Sequence, residues 1–226
     1  PCPVPVKEQI AAWFGDVLVE YYGFTEGGLT VVGPDEWRSR PGTVGRPLPG
    51  MRVRVLDADG RDVPAGEMGT VYFESAAGRR FSYQGDESKT AGAHQGDAFT
   101  VGDVGWLDDD GFLFLSGRAA DVVITAGVNV YPAEVEQVLS AVEGIADLCA
   151  VGVADDLLGE VLALHVVLAP GAHQDKVLAG IDQAAQERLA PYKRPRSVAV
   201  VASVPRDETG KLLRRVLRDQ LNPSVR

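Results

Sequence analysis

Lys211 follows a glycine in "SVPRDETGKLLRR" (203–215), near the end of the 226-residue chain. An ammonium behind a glycine suits phosphate chemistry: the charge offsets the anion, and the missing side chain lets backbone approach. A P-loop would also need glycine at 205 and Ser or Thr at 212, where Pro205 and Leu212 stand. On these residues alone, a loop lysine ahead of a surface helix is the more economical account. Three other stretches set polar or glycine-rich groups just outside strand-like segments. In "YYGFTEGG" (21–28), Gly23, Gly27 and Gly28 permit close approach, Tyr22 offers an aromatic face, Thr25 a hydroxyl and Glu26 a carboxylate. Together these could stack a base, bind phosphate and hold Mg²⁺, although such loops are usually only turns. In "FTVGDVGWLDDDG" (99–111), Asp103 could accept both hydroxyls of a ribose, or it is a turn residue like the "DDDG" at 108–111. In "SGRAADVV" (116–123), Arg118 could reach a ligand at a domain boundary, or it is a surface ion-pair partner.

The elements that must carry these groups change character along the chain. Residues 7–14 suit a short helix and 16–23 an apolar strand, neither with an evident packing partner. From 42 to 117 the pattern is almost all β, with "MRVRVLD", "GTVYFES" and "GFLFLSG" alternating around Asp-Gly turns. This predicts a small β-barrel-like or two-sheet module. After Gly117, strands and helices interleave. "DVVIT" and "VNVY" pair across a short turn, and Pro132 opens a helix over 132–142 with Val135, Val138, Leu139 and Val142 on one face. "LCAVGV" and "VLALHVVL" are strands, 174–189 a helix with Val177, Ile181, Ala185 and Leu189 in register, "VAVVA" a strand and 212–221 a final helix. The expectation is a mixed α/β chain: residues 1–117 as part of a larger domain, then a small α+β domain over 118–226, with the boundary at 118–121.

Composition narrows the partners. The net charge is −10 (22 basic against 32 acidic residues), which argues against binding nucleic acid without sequence preference. It leaves room for an anionic small ligand held by a few local donors. No apolar run approaches the ~20 residues that cross a bilayer. Cys2 and Cys149 lack metal spacing, and a buried free thiol at Cys149 suits a reducing cytoplasm. His94, His165 and His173 are scattered, with His165 packed inside a strand pattern.

Seven stretches then resemble, in order, the adenylate-forming superfamily of acyl-CoA synthetases, luciferases and peptide-synthetase adenylation domains. They are "YGFTE", "GTVGRPLPG", "PAGEMGTVYF", "TVGDVGWLDDDGFLFLSGR", "GVNVYPAEVE", "LAPYKRPR" and "PRDETGK", spread over residues 2 to 221. "GVNVYPAEVE" and "LAPYKRP" look most like bacterial fatty-acyl-CoA synthetases. The resemblance implies that a carboxylate and ATP form an acyl-adenylate, which is then transferred to CoA. A carrier-protein thiol as acceptor is the alternative within the enzyme class, and a non-catalytic binding remnant the alternative outside it. It further implies that Tyr22 and Gly23 meet adenine, Thr25 phosphate, Glu26 Mg²⁺, and Asp103 and Arg118 the ribose and phosphate region. Lys211 would bridge the acyl carboxylate and the α-phosphate. Thr125, Ala126 and Gly127 would line the pantetheine tunnel, and Ala120 and Asp121 would form the hinge.

Two departures stand out. The family's hinge usually carries Asp or Lys where Ala120 stands, with Asp121 next along, and Ala126 replaces the first of two adjacent glycines. The family's Ser/Thr/Gly-rich phosphate loop also lies well upstream of the Tyr-Gly-x-Thr-Glu motif, which begins here at Tyr22. The expectation is therefore the C-terminal portion of a larger enzyme, inactive alone, whose partner is its own N-terminal portion. A homodimer is left open.

Overall fold

The computed structural model describes residue 2, residues 4–75, residue 78 and residues 80–222, and the chain divides into two units, Pro1–Ala119 and Ala120–Arg226. The first unit begins with α1 (Val4–Phe14), β1 (Glu20–Gly23), β2 (Leu29–Val32), α2 (Pro34–Ser39) and β3 (Thr43–Pro47). It continues through β4 (Met51–Leu56), β5 (Gly69–Ser75), α3 (Glu87–Gly92), β6 (His94–Gln95), β7 (Ala98–Phe99), β8 (Asp103–Leu107) and β9 (Leu113–Arg118). All its strands join one nine-stranded sheet in the order β1-β2-β3-β9-β8-β5-β7-β6, with β4 also on β5. Every pairing in it is antiparallel.

Local chemistry makes these hairpins. Asp57 Oδ1 accepts from the amides of Asp59 and Arg61, and Asp108 Oδ1 from those of Asp110 and Phe112, so each Asp-Gly stretch closes on its own side chain. The core beneath the sheet holds Val44, Val53, Val71, Phe73, Phe99 and Leu113, with Tyr22, Phe24 and Phe81 packed against it.

The structure corrects three expectations in this unit. Residues 16–19 are not strand, because β2 is long enough to pair only Glu20–Gly23. The β-rich stretch contains the helix α3, started by Asp86, whose carboxylate accepts from the Lys89 amide at 2.9 Å. Nor is the N-terminal helix without partners. Lys7 is fully buried, ion-paired with Glu20 and 5.7 Å from the Trp37 ring centre.

The second unit contains β10 (Val123–Thr125), β11 (Val128–Val130), α4 (Pro132–Leu139), β12 (Ile145–Asp155), β13 (Gly159–Leu168), α5 (Gln174–Arg188), β14 (Ser197–Val200) and α6 (Arg214–Leu221). Its sheet runs β11-β10-β13-β12, with β14 parallel to β13. Leu148, Ala150, Leu162 and Leu164 pack against Val135 and Leu139 of α4 and Val177 and Ile181 of α5. Cys149, Val151 and Ala163 pack instead with Leu217 of α6 and with Val204 in the loop after β14. Side chains alternate between faces along a strand, and both faces are covered, so "LCAVGV" is a continuous apolar run rather than an alternating one. Burial pushes the Cys149 thiol up to about 12 and favours neutral, half-buried His165. α4 ends at Leu139, short of the expected 142, yet Val138 and Val142 still pack on the core. α6 starts at Arg214 because Leu212 bridges to Arg206 and the Leu213 amide donates to Pro205.

Candidate active site

In the first unit the β1–β2 connection presents the first candidate group. A Cβ on Gly23 would lie 2.8 Å from the Gly28 carbonyl oxygen, so the hairpin closes only around glycine. Phe24 turns inward, edge-on to Phe73 and Phe99 at centroid distances of 5.2 and 5.9 Å. That anchor leaves Thr25 and Glu26 at the tip of the turn. The Thr25 hydroxyl donates to Glu26 Oε2 at 3.0 Å.

Tyr83, which sequence reasoning passed over, donates its hydroxyl to Glu26 Oε1 at 2.9 Å. α3 positions it: the Tyr83 amide donates to Thr90 Oγ1 at 2.9 Å, and the Lys89 ammonium lies 3.9 Å from the ring centre. Burial pushes the Glu26 carboxyl up, but the bonds from Tyr83, its own backbone and Thr25, with the Lys89 charge, outweigh it and hold the group ionised below its ordinary range. Glu26 borders an open cleft of about 560 Å³ with Thr25, Gly27, Pro49, Gly50 and Arg80. One ionised carboxylate with a neighbouring hydroxyl fits Mg²⁺, which takes one or two carboxylates and leaves its other positions to phosphate and water. Among the described residues no cluster of three His, Cys, Asp or Glu could hold a metal by itself.

The second group lies where β1 meets the β8–β9 hairpin. Asp103 and Arg118 are cross-strand partners, with Arg118 Nε 3.3 Å from Asp103 Oδ1. Tyr22 donates its hydroxyl to Asp103 Oδ2. Burial, then the charge and hydrogen bond of Asp103, keep the phenol protonated. A bulge between Val104 and Gly105 shifts the register just beside this pair. The Tyr22 ring packs on Phe24 and Phe73 at 5.7 and 6.1 Å. Three residues scattered over the sequence thus form one polar cluster on the sheet, and each carboxylate oxygen of Asp103 keeps further acceptor capacity.

The remaining candidates belong to the second unit. Thr125 and Val128 face each other across a two-residue turn in which Ala126 (φ 50°) and Gly127 (φ 80°) are both left-handed, the type I′ pattern. Ala126 and Gly127 are exposed, whereas Thr125 is buried and its hydroxyl has no hydrogen-bond partner among the described residues. Ala120 and Asp121 are held by α6. Arg218 Nη1 donates to the Ala120 carbonyl at 2.7 Å, and Arg214 Nη1 lies 3.7 Å from Asp121 Oδ2. Arg214 also pairs with Glu136, whose Oε1 accepts from the Ala150 amide at 2.8 Å. Lys211 is exposed in a short loop whose Asp207 carboxylate accepts from the Lys211 amide at 2.9 Å.

The AMP-binding enzyme profile matches residues 1–78, and the profile of the AMP-binding enzyme C-terminal domain matches residues 134–211. The fatty acid–[acyl-carrier-protein] ligase ScoC of Streptomyces coeruleorubidus is 38% identical over 225 residues, which are 97% of this chain and 43% of that protein. The mitochondrial acyl-coenzyme A synthetase ACSM4 of Rattus norvegicus is 33% identical over 227 residues, 97% of this chain and 39% of that protein. The solved structure of o-succinylbenzoate CoA synthetase (MenE) from Bacillus subtilis, in complex with the acyl-adenylate intermediate OSB-AMP, matches with a TM-score of 0.86. It is 30% identical and covers 97% of this chain and 44% of that one. The chain spans about two-fifths of the length of these relatives. The two profiles match in separate halves of the chain, and the relatives match along nearly all of it: the chain belongs to the AMP-binding, adenylate-forming enzyme family.

Proposed function

We propose that the chain is part of an ATP-dependent acyl-CoA synthetase that activates a fatty or other lipophilic acid. The observation that carries this reading is the Tyr22–Asp103–Arg118 cluster, assembled at the same end of β1 that presents Thr25 and Glu26. A carboxylate oxygen of the acid attacks the α-phosphorus of ATP, the bond to the bridging oxygen breaks, and pyrophosphate leaves. The CoA thiolate then attacks the acyl carbon, AMP departs, and the thiol proton goes to solvent.

Each residue has a task in this scheme. Tyr22 and Gly23 meet the adenine, while the Tyr22 hydroxyl keeps Asp103 oriented to accept the ribose hydroxyls. Arg118 and Thr25 contact ribose and phosphate. Glu26 is the metal ligand, and bound Mg²⁺ would offset the triphosphate charge. Lys211 offsets charge on the carboxylate and α-phosphate, an effect worth ~10²–10³ in rate for one such donor. Ala126 and Gly127 line the pantetheine path, with Thr125 behind them. The unit carrying both loops pivots near Ala120 and Asp121. A cytoplasmic setting fits the buried free thiol of Cys149.

A carrier-protein thiol as acceptor is the second reading, favoured by the 38% identity to ScoC, a ligase for an acyl carrier protein. Product formed with CoA as the sole thiol decides between them.

The test uses the full-length protein carrying this chain. Lys211→Ala is expected to cripple adenylate formation from acid and ATP, and to spare thioester formation from supplied acyl-adenylate and CoA. Equal slowing of both would remove Lys211 from its assigned role. The 226-residue chain alone is expected to show no acid-dependent ATP–pyrophosphate exchange above its Lys211→Ala variant.

A further inference from the structure

The loop bearing Lys211 is braced on both sides of that residue. Asp207 Oδ1 accepts from the Thr209 amide at 2.9 Å, the Thr209 hydroxyl at 2.6 Å and the Lys211 amide at 2.9 Å. The Asp207 amide donates to the Lys211 carbonyl at 2.9 Å, fixing the peptide plane after the lysine. The plane before it joins the Gly210 carbonyl to the Lys211 amide. Asp207 holds its nitrogen end, and Arg206 Nη1 donates to its oxygen end at 2.6 Å.

Arg206 is itself tied to the sheet. Its Nε and Nη2 reach the two oxygens of Asp147 at 2.8 and 2.7 Å, a bidentate fork. Asp147 sits on β12, where the register with β13 is irregular, and its Oδ1 also accepts from the Leu148 amide at 2.9 Å. The guanidinium therefore spends three separate N–H groups on joining a ten-residue or longer strand pair to the peptide plane that launches Lys211. An exposed ion pair stabilises little by itself, so the value of this fork is directional. The Lys211 side chain is exposed, and only its backbone is constrained.

We propose that Arg206, braced by Asp147, is a positioning residue that sets the direction in which Lys211 leaves the backbone and so sets the rate of adenylation. This rests on Lys211 being the adenylation lysine. Arg206 touches no substrate; it acts through the lysine. A lysine at 206 would keep the charge but, as a point charge, would lose the fork and with it the simultaneous hold on Asp147 and Gly210.

The experiment measures both half-reactions in the full-length protein with Arg206→Met, Arg206→Lys, Asp147→Asn and Lys211→Ala. Both Arg206 variants are expected to slow adenylation ~10- to 100-fold, the scale of a ~1 Å misplacement, with acyl transfer from supplied adenylate within about twofold of wild type. Asp147→Asn is expected to show the same split, more weakly. If Lys211→Ala slows adenylation alone while Arg206→Met does not, the positioning role is overturned and the lysine's role stands. If Lys211→Ala slows neither or both half-reactions alike, both proposals fall. Equal slowing of the two half-reactions by Arg206→Met, or wild-type adenylation in Arg206→Lys, also overturns it. A second readout needs no activity. In the 226-residue chain, the Lys211 amide is expected to exchange hydrogen faster in Arg206→Met, with β12 and β13 amides unchanged. Unchanged exchange at Lys211 would show that the brace does not act.

Discussion

Tyr83 donates its hydroxyl to Glu26 Oε1 at 2.9 Å, joining two residues 57 positions apart at the edge of the cleft. The bond is the largest of the contributions that hold the Glu26 carboxyl low against burial. A carboxyl lowered in the folded state stabilises the fold above its unfolded value of ~4.3, and that contribution disappears as pH falls through the lower folded value. Tyr83→Phe is therefore expected to move the Glu26 titration to higher pH, so that this stabilisation starts to fade earlier on acidification. Carboxyl carbon shifts of Glu26 followed by NMR would check this; an unmoved midpoint would contradict it.

Lys7 and Glu20 form an ion pair in which the lysine side chain is fully buried and the glutamate side chain is 13% exposed. Removing one partner of such a pair strands the other charge, at a cost of about 3–5 kcal/mol. Lys7→Ala should lower the unfolding free energy of the first unit, read from urea titration, by that amount, and Lys7→Met, which fills the space, should lower it too because Glu20 remains. A loss under about 1 kcal/mol, the scale of an exposed pair, would mean that the pair contributes no more than a surface one.

Ala126 holds a φ of 50° beside Gly127. A left-handed alanine is strained by ~1–2 kcal/mol, and glycine gives back ~0.5–1 kcal/mol as unfolded-state entropy. Ala126→Gly is expected to stabilise the second unit by about 0.5–1 kcal/mol, the difference of those terms. Thermal unfolding of the two chains side by side provides the comparison, and a destabilised glycine variant would show that the methyl packs usefully.

Arg218 pins the Ala120 carbonyl at 2.7 Å, while within the first unit the Ala119 amide donates to the Gly102 carbonyl at 2.8 Å. The backbone torsions left between those two anchors are those of Ala119 and Ala120, next to the pivot proposed at Ala120 and Asp121. A hydrogen bond from a charged donor is worth about 1.5–3 kcal/mol, so Arg218→Ala should raise local opening at Ala120–Asp121 by roughly tenfold or more. Trypsin cleavage after Arg118 would report it as a faster nick at that bond. An unchanged rate would place the constraint elsewhere.

Residue types and their order carried much of the outcome. Glycine at 23, where a side chain would strike the Gly28 carbonyl, and the Asp-Gly turns at 57–61 and 108–112 are local features, settled by groups a few residues apart. Pro132 at the start of α4 and the helical spacing of Val177, Ile181 and Ala185 are equally local. The seven family stretches also named the candidate residues, because each chemistry admits few side chains. The helix α3 escaped notice inside a β-rich stretch, since its start depends on one capping carboxylate rather than on periodicity.

What the sequence could not set is which of these groups meet. Tyr22 and Asp103 lie 81 positions apart, Arg206 and Asp147 59, and Arg214 and Glu136 78. Strand register and helix docking bring each pair together, and both depend on the summed packing of whole faces. A one-residue slip of β8 on β9 would keep every propensity and turn Asp103 to the other face of the sheet. Propensity acts over a few residues, so it can name a carboxylate or a guanidinium but cannot choose its partner. That choice falls to the register of the two sheets, which exists only once their cores are packed.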